Sequence, residues 1–188
     1  MAEEYYPWGG DFTSVNPNGS IAVVLLNIEF IPKENVAIYG RLKTENIGIE
    51  KIVANVISNP HIRFVLLCGD DIRGHRSGNS LICLHKNGIN ENHRIIDAPG
   101  AIPFIENLTV EAINRFRDQV KIIDFIGETN QSELQKSINE IACTHVESYG
   151  EPFIAIQLKQ ISHDDFSDKR ALHSKIIMDY MGKIKKRE

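Results

Sequence analysis

The chain has 188 residues, enough for one domain with a sizeable core and a small appendage, and its 42% hydrophobic and 24% charged content is that of a globular protein. A net charge of −4 provides no global field for holding nucleic acid, so no nucleic-acid partner is expected. Three cysteines, Cys68, Cys83 and Cys143, fit no disulfide framework, and no stretch approaches the ~18 consecutive apolar residues of a membrane span; the expectation is a soluble, cytoplasmic protein with reduced thiols.

The first 18 residues, rich in aromatics, proline and glycine, read as an irregular arm that lays Tyr5, Trp8 and Phe12 against the body. The β-branched run from Ile21 to Leu26 predicts a strand buried on both faces, and a weaker strand is expected around Val36 to Tyr39. Ile49, Ile52, Val53, Val56 and Ile57 fall on one face of a helix that Asn59-Pro60 stops. A strand over 63–67 leads into a glycine-broken turn and then a short helix up to Gly88. His93 to Ile96 reads as a short strand, and the two prolines and glycine of 97–103 exclude regular structure there. Thr109 is an N-cap, with Leu108 and Ile113 at the staple positions of a helix that buries Ile113, Phe116 and Val120. A strand over 121–126 follows, then a capping box at Ser132 opening a helix to about Ser148, then a strand candidate over 153–158. Residues 164–168 are a polar break, and from Ala171 an amphipathic helix carries Lys183, Lys185, Lys186 and Arg187. Strands alternating with helices predict an α/β fold with a mostly parallel sheet and right-handed crossovers, as a domain over 1–160 followed by a linker and basic helix over 161–188. At ~1 kcal/mol per basic residue, that tail permits reversible attraction to an anionic membrane surface or an acidic partner, or simply complements its helix dipole.

In open α/β sheets ligands bind beyond the carboxyl ends of the strands, which directs attention to the turn after 63–67. Its residue suited to a transition metal is His75, since an imidazole near its ordinary pKa of about 6.5 is mostly neutral at pH 7. Gly74 and Gly78 flank it and would let a broad, flat ligand approach the backbone, while Asp70 or Asp71 would orient the ring. The residues alone leave a solvent-exposed turn histidine as the other reading. A zinc site from His75, Cys83, His85 and His93 matches no common spacing, Cys68 is a buried thiol or a nucleophile, and no phosphate-binding glycine loop is present.

Several stretches resemble the A subunit of tetrahydromethanopterin S-methyltransferase, the corrinoid-carrying subunit of a methanogen enzyme. They run from Lys43-Thr44-Glu45-Asn46-Ile47-Gly48-Ile49-Glu50-Lys51 through Ile57-Ser58-Asn59-Pro60, Leu67-Cys68-Gly69, Gly74-His75, Gly78 and Ser80 to Arg94-Ile95-Ile96, Gly100-Ala101-Ile102-Pro103 and Ile105-Glu106-Asn107, with Pro7 and Gly10-Asp11 echoing the family's arm. The resemblance implies a Rossmann-like domain that holds cobalamin or a related cobamide, with His75 on the cobalt. Gly74, Gly78, Asn79, Ser80, Gly100, Ala101, Ile102 and Pro103, with Lys43, Thr44, Glu45 and Asn46, would line the cofactor; no residue of the chain is assigned a catalytic step. The implied activity carries a methyl group from methyl-tetrahydromethanopterin through cobalt to coenzyme M, within a complex of other methyltransferase subunits at the cytoplasmic face of the membrane. The alternative is a stand-alone methyl carrier or cobalamin reservoir. Family members of the membrane complex carry a C-terminal membrane helix, absent from this sequence, which implies a soluble homologue or one whose anchor was removed. Leu42, Asn79 and Asp97 stand where the family is expected to have cysteine, glutamine and glycine.

Overall fold

The apolar run Ile21–Leu25 (β2) lies at the middle of a five-stranded sheet and is buried along its whole length. It pairs in parallel with Ile38–Arg41 (β3) on one side and Phe64–Gly69 (β4) on the other; Lys121–Ile126 (β5) extends the parallel set beyond β4, and Phe12–Ser14 (β1) closes the far edge antiparallel to β3. This computed structural model describes residues 5–33, 35–156, 176–178 and 184–186. It divides into two units, Met1–Gln157 and Leu158–Glu188. The larger is α/β and Rossmann-like.

Helices cover both faces of the sheet. Ile47–Ser58 (α1), Ser77–Asn87 (α2) and Val110–Gln119 (α3) pack on one face, where Ile49, Val53 and Ile57 of α1 meet Ala22, Val24 and Leu67 of the strands. On the other face Leu134 and Ile138 of Gln131–Ala142 (α4) pack with Phe30 and Val36 against Val23, Leu25 and Leu66. Thr109 caps α3 as expected, accepting from the Ala112 N–H at 3.2 Å. The arm is anchored on α1: the side chain of Asn55 bonds both the N–H and the carbonyl of Trp8, and Asn59 bonds the Tyr6 hydroxyl. Tyr6, rather than Tyr5, joins Trp8 and Phe12 against the core.

Four local expectations are corrected. His93 to Ile96 makes only isolated bridges, Ile89 to Ile95 and Arg94 to Phe104, because His93 and Asp97 hold positive φ angles of 59° and 60° that end extended backbone on both sides. Helix α4 starts at Asn130, whose side chain accepts from the N–H groups of Ser132 and Glu133, so asparagine takes the cap two residues before the expected serine. It ends at Ala142, and the following segment turns back over the body. There Arg115 donates to the carbonyls of Tyr149 and Glu151. Residues 153–156 form no strand; the Phe153 N–H instead reaches the Ile57 carbonyl.

In the smaller unit, Ile176–Met178 (β6) and Ile184–Lys186 (β7) pair antiparallel where a helix was expected. The adjacent β-branched Ile176 and Ile177 favour a strand over a helix. The expected polar break at 164–168, and the rest of the expected tail helix, lie outside the described residues. Among the described residues no helix is long and apolar enough to cross a membrane.

Candidate functional site

The chain steps from β2 to β3 on one side and returns through α1 to β4 on the other. The carboxyl ends of β2 and β4 therefore form a topological switch point. A cleft of about 140 Å³ opens there among Leu26, Asn27, Leu42, Lys43, Asp71 and Ile72. The turn leaving β4 is closed by Asp71, whose carboxylate accepts from the N–H groups of Gly78 (3.2 Å) and Asn79 (2.9 Å) and from the Asn79 side chain (2.8 Å). Asp71 thus caps α2 from outside the helix. The N-cap residue itself, Arg76, has no capping bond and sits in the left-handed region, φ 41° and ψ 46°, which costs a non-glycine residue on the order of 1–2 kcal/mol.

His75 projects from this turn with 59% of its side chain exposed, and its Nδ1 lies 3.1 Å from Oε2 of Glu45. Glu45 is only 3% exposed, and its other oxygen accepts from the Ile102 N–H at 3.0 Å. Burial works to raise the Glu45 pKa. Its own backbone N–H, that of Ile102 and the His75 ring together outweigh burial and hold the carboxyl below its usual value. An ionised carboxylate has no hydrogen to give, so the hydrogen of this bond is on Nδ1. The Nε2 lone pair is then left on the edge of the ring turned away from Glu45. Orientation of the imidazole therefore comes from Glu45, thirty residues upstream, and not from Asp70 or Asp71.

The irregular stretch 97–103 and the residues that follow it are held in place by two buried carboxylates. Glu45 fixes it at Ile102. Glu50, 1% exposed, accepts from the N–H groups of Glu106 (2.5 Å) and Asn107 (2.7 Å) and from the Asn107 side chain (2.7 Å). Gly100 is the point of contact: a Cβ there would come 2.6 Å from the His75 carbonyl oxygen and 2.9 Å from Ser80 Oγ. Gly74 has a φ of +93° and open space where a side chain would be.

The other expected site residues divide. Ala101 and Ile102 are exposed and Pro103 is buried, with Ile102 57% exposed and Ile72 of the histidine turn 53% exposed. Lys43 pairs with Asp11 of the arm at 2.7 Å. Thr44 Oγ1 accepts from the Gly48 N–H at the start of α1, and Asn46 occupies that helix's N-cap. Gly78 makes room for Leu26 rather than for a ligand, since a Cβ would lie 2.7 Å from the leucine side chain. Asn79 is bound to Asp71, and Ser80 donates to the Arg76 carbonyl. Arg76 and Glu50 escaped the sequence reading. A non-capping residue directly after a candidate ligand was the available signal for the first, and nothing local marked the second.

Two of the thiols and two further histidines are engaged elsewhere. Burial pushes the Cys68 thiol up to about 12, so it is no nucleophile at neutral pH. His85 bonds the Val120 carbonyl and His93 that of Ile105, and among the described residues no three His, Cys, Asp or Glu side chains gather as a metal cage.

The fold is a doubly wound α/β domain, the class in which the switch point beyond the strand ends is the usual ligand position, and here that position carries a carboxylate-oriented histidine. The chain is a member of the tetrahydromethanopterin S-methyltransferase A-subunit family, whose family model matches residues 1–166, and so of a family of methyltransferase subunits. It is 46% identical over 160 residues to the A subunit of the putative methyltransferase Mtx of Methanosarcina barkeri, covering 85% of this chain and 81% of that one. It is 41% identical over 162 residues to the tetrahydromethanopterin S-methyltransferase A subunit of Methanosphaera stadtmanae, covering 84% and 65%. The corresponding protein of Methanohalophilus mahii is 35% identical over 153 residues, covering 79% and 63%.

Proposed function

We propose that the chain is the corrinoid-carrying subunit of a methyl-transfer system, in which His75 Nε2 would hold the cobalt of cobalamin or a related cobamide. The observation that carries this reading is the His75–Glu45 pair: a buried carboxylate on Nδ1 is how proteins orient a metal-binding imidazole and keep its other nitrogen free. The surroundings fit a flat macrocycle. Gly74 leaves space beside the ring, and the exposed Ile72 and Ile102 offer apolar surface on the two segments that meet Glu45 or flank His75.

Bound there, the cobalt would supply the centre that takes up a methyl group and gives it on, and the protein would position and tune it. Glu45 holds the Nδ1 proton and so leaves Nε2 as the free ring nitrogen. Asp71 keeps the turn closed on α2. Gly100 keeps the second loop against His75, so movement of the histidine is transmitted to 97–103 through Glu45 and Ile102. The family name supports a tetrahydromethanopterin-linked methyl transfer with other methyltransferase subunits as partners. Methyl-tetrahydromethanopterin as donor, coenzyme M as acceptor and a place at the cytoplasmic face of the membrane complete the proposal.

A second reading is a methyl carrier or cobalamin reservoir outside that complex. The relatives at 46% and 47% identity are named as A subunits of a differently named methyltransferase, Mtx, which supports methyl transfer outside the tetrahydromethanopterin enzyme but not a reservoir. Reconstituting the chain with cobalamin, beside His75→Ala, tests the ligand: the wild type should give an imidazole-ligated visible spectrum that the variant lacks. An unchanged spectrum in the variant overturns the assignment. Adding a methyl donor to the reduced holo-protein then separates carrier from reservoir, because only the carrier changes spectrum.

A further inference from the structure

Arg76 is placed against each local preference. It fills the N-cap of α2, where an oxygen-bearing side chain would bond free N–H groups, and its left-handed φ of 41° suits glycine or asparagine. Its charge also stands at the positive end of the helix dipole. Asp71 has taken over the capping from seven residues before Gly78, and both its oxygens are occupied by Gly78 and Asn79. The oxygens of Glu45 are likewise occupied, by His75 and Ile102. Arg76 is exposed, and among the described residues its guanidinium makes no hydrogen bond or ion pair. A non-glycine residue held in an unfavourable backbone conformation beside a ligand site is a pointer to function. A second exposed cation, Arg73, lies two residues before His75.

We propose that Arg76 binds the phosphodiester of the cobamide's nucleotide tail; the inference rests on His75 being the cobalt ligand. The tail of a cobamide leaves from the lower face of the corrin ring, the face an axial histidine occupies. When an imidazole replaces the tail's own base, the phosphodiester remains tethered on that side as the one fixed negative charge of the tail. A guanidinium meets phosphate oxygens with two parallel N–H groups, and here it is attached to the residue next to the ligand.

The test compares cobalamin with cobinamide, which has the same ring and metal but no nucleotide tail. Dissociation constants for both are measured on the wild type, Arg76→Ala, Arg76→Lys and Arg76→Gly, with melting temperatures of the four proteins in the absence of corrinoid. Arg76→Ala should weaken cobalamin roughly ten- to a hundredfold, the range of a lost charge-assisted hydrogen bond, and change cobinamide by less than about twofold. Arg76→Lys should recover part of the loss. Arg76→Gly should bind cobalamin as weakly as the alanine variant yet melt above the wild type, because glycine relieves the left-handed strain. Equal losses for both corrinoids, no loss, or a glycine variant that melts below the wild type would overturn the inference. Failure of the wild type to bind either corrinoid would remove the proposed function and this inference with it.

Discussion

Replacing Glu45 by glutamine keeps the shape of a buried side chain and reverses one hydrogen bond. The glutamine Oε1 can still accept from the Ile102 N–H at the 3.0 Å the carboxylate uses, so its amide nitrogen faces His75 Nδ1. A donor at that position selects the tautomer with its hydrogen on Nε2, which has no lone pair for a metal. Loss of such an orienting partner costs about 10–100-fold in metal affinity, or roughly 1.4–2.7 kcal/mol. Stability should change by only about 1 kcal/mol, since one charge-assisted contact becomes a neutral one and no cavity forms. The assay is a cobalamin titration beside a proton–nitrogen correlation spectrum of the His75 ring. An Nε2–H signal should appear in Glu45→Gln and be absent from the wild type. An unchanged affinity with the same ring tautomer in both proteins would refute the reasoning.

Four further outcomes follow from the same contacts. The folded Glu45 pKa is depressed, so its contribution is present above the unfolded value, about 4.3, and is lost as pH falls through the folded value; the stability gap between wild type and Glu45→Gln, followed by urea unfolding, should narrow as the pH falls below the unfolded value. Asp71→Ala uncaps α2 and should cost about 1–2 kcal/mol, a fall in melting temperature of roughly 2–8 °C by calorimetry. Gly100→Ala sets a methyl group against the His75 carbonyl and should cost about 1–3 kcal/mol in chemical denaturation while loosening the loop in hydrogen exchange; a variant as stable as the wild type would contradict the close approach. Under native alkylation at pH 8 the exposed Cys143 should be labelled first and the buried Cys68 last, as read by peptide mass; early labelling of Cys68 would contradict its burial.

The legible parts of the fold were those that one element decides by itself. The helical spacing of Ile49, Val53 and Ile57 gave α1, the continuous apolar run gave β2, and Thr109 marked the start of α3. The misread parts depend on backbone turns and pairings that a local pattern does not show, some of them distant in sequence. Arg115 holds the carbonyls of Tyr149 and Glu151, which is where an apparent continuation of α4 was expected. The apolar pattern of the tail, with Ile176 and Ile177 adjacent, also suits a strand, and β6 and β7 pair. The site shows the same division. His75 was conspicuous as the residue after Gly74 in a turn leaving a buried strand. Its pairing with Glu45 is long-range, and two aspartates close by in sequence were the more obvious candidates. Gly78 and Gly100 look alike in a sequence, but the first makes room for Leu26 and the second for the backbone of His75. Only the packing distinguishes them.

The bond between His75 and cobalt is accessible to electron paramagnetic resonance of the cobalt(II) form, in which an axial nitrogen splits the cobalt lines. Protein grown with nitrogen-15 histidine and loaded with unlabelled cobalamin should show each triplet replaced by a doublet, and His75→Ala should show no splitting from a protein nitrogen. A triplet that persists in the labelled protein would put the cofactor's own base on the metal and contradict the account.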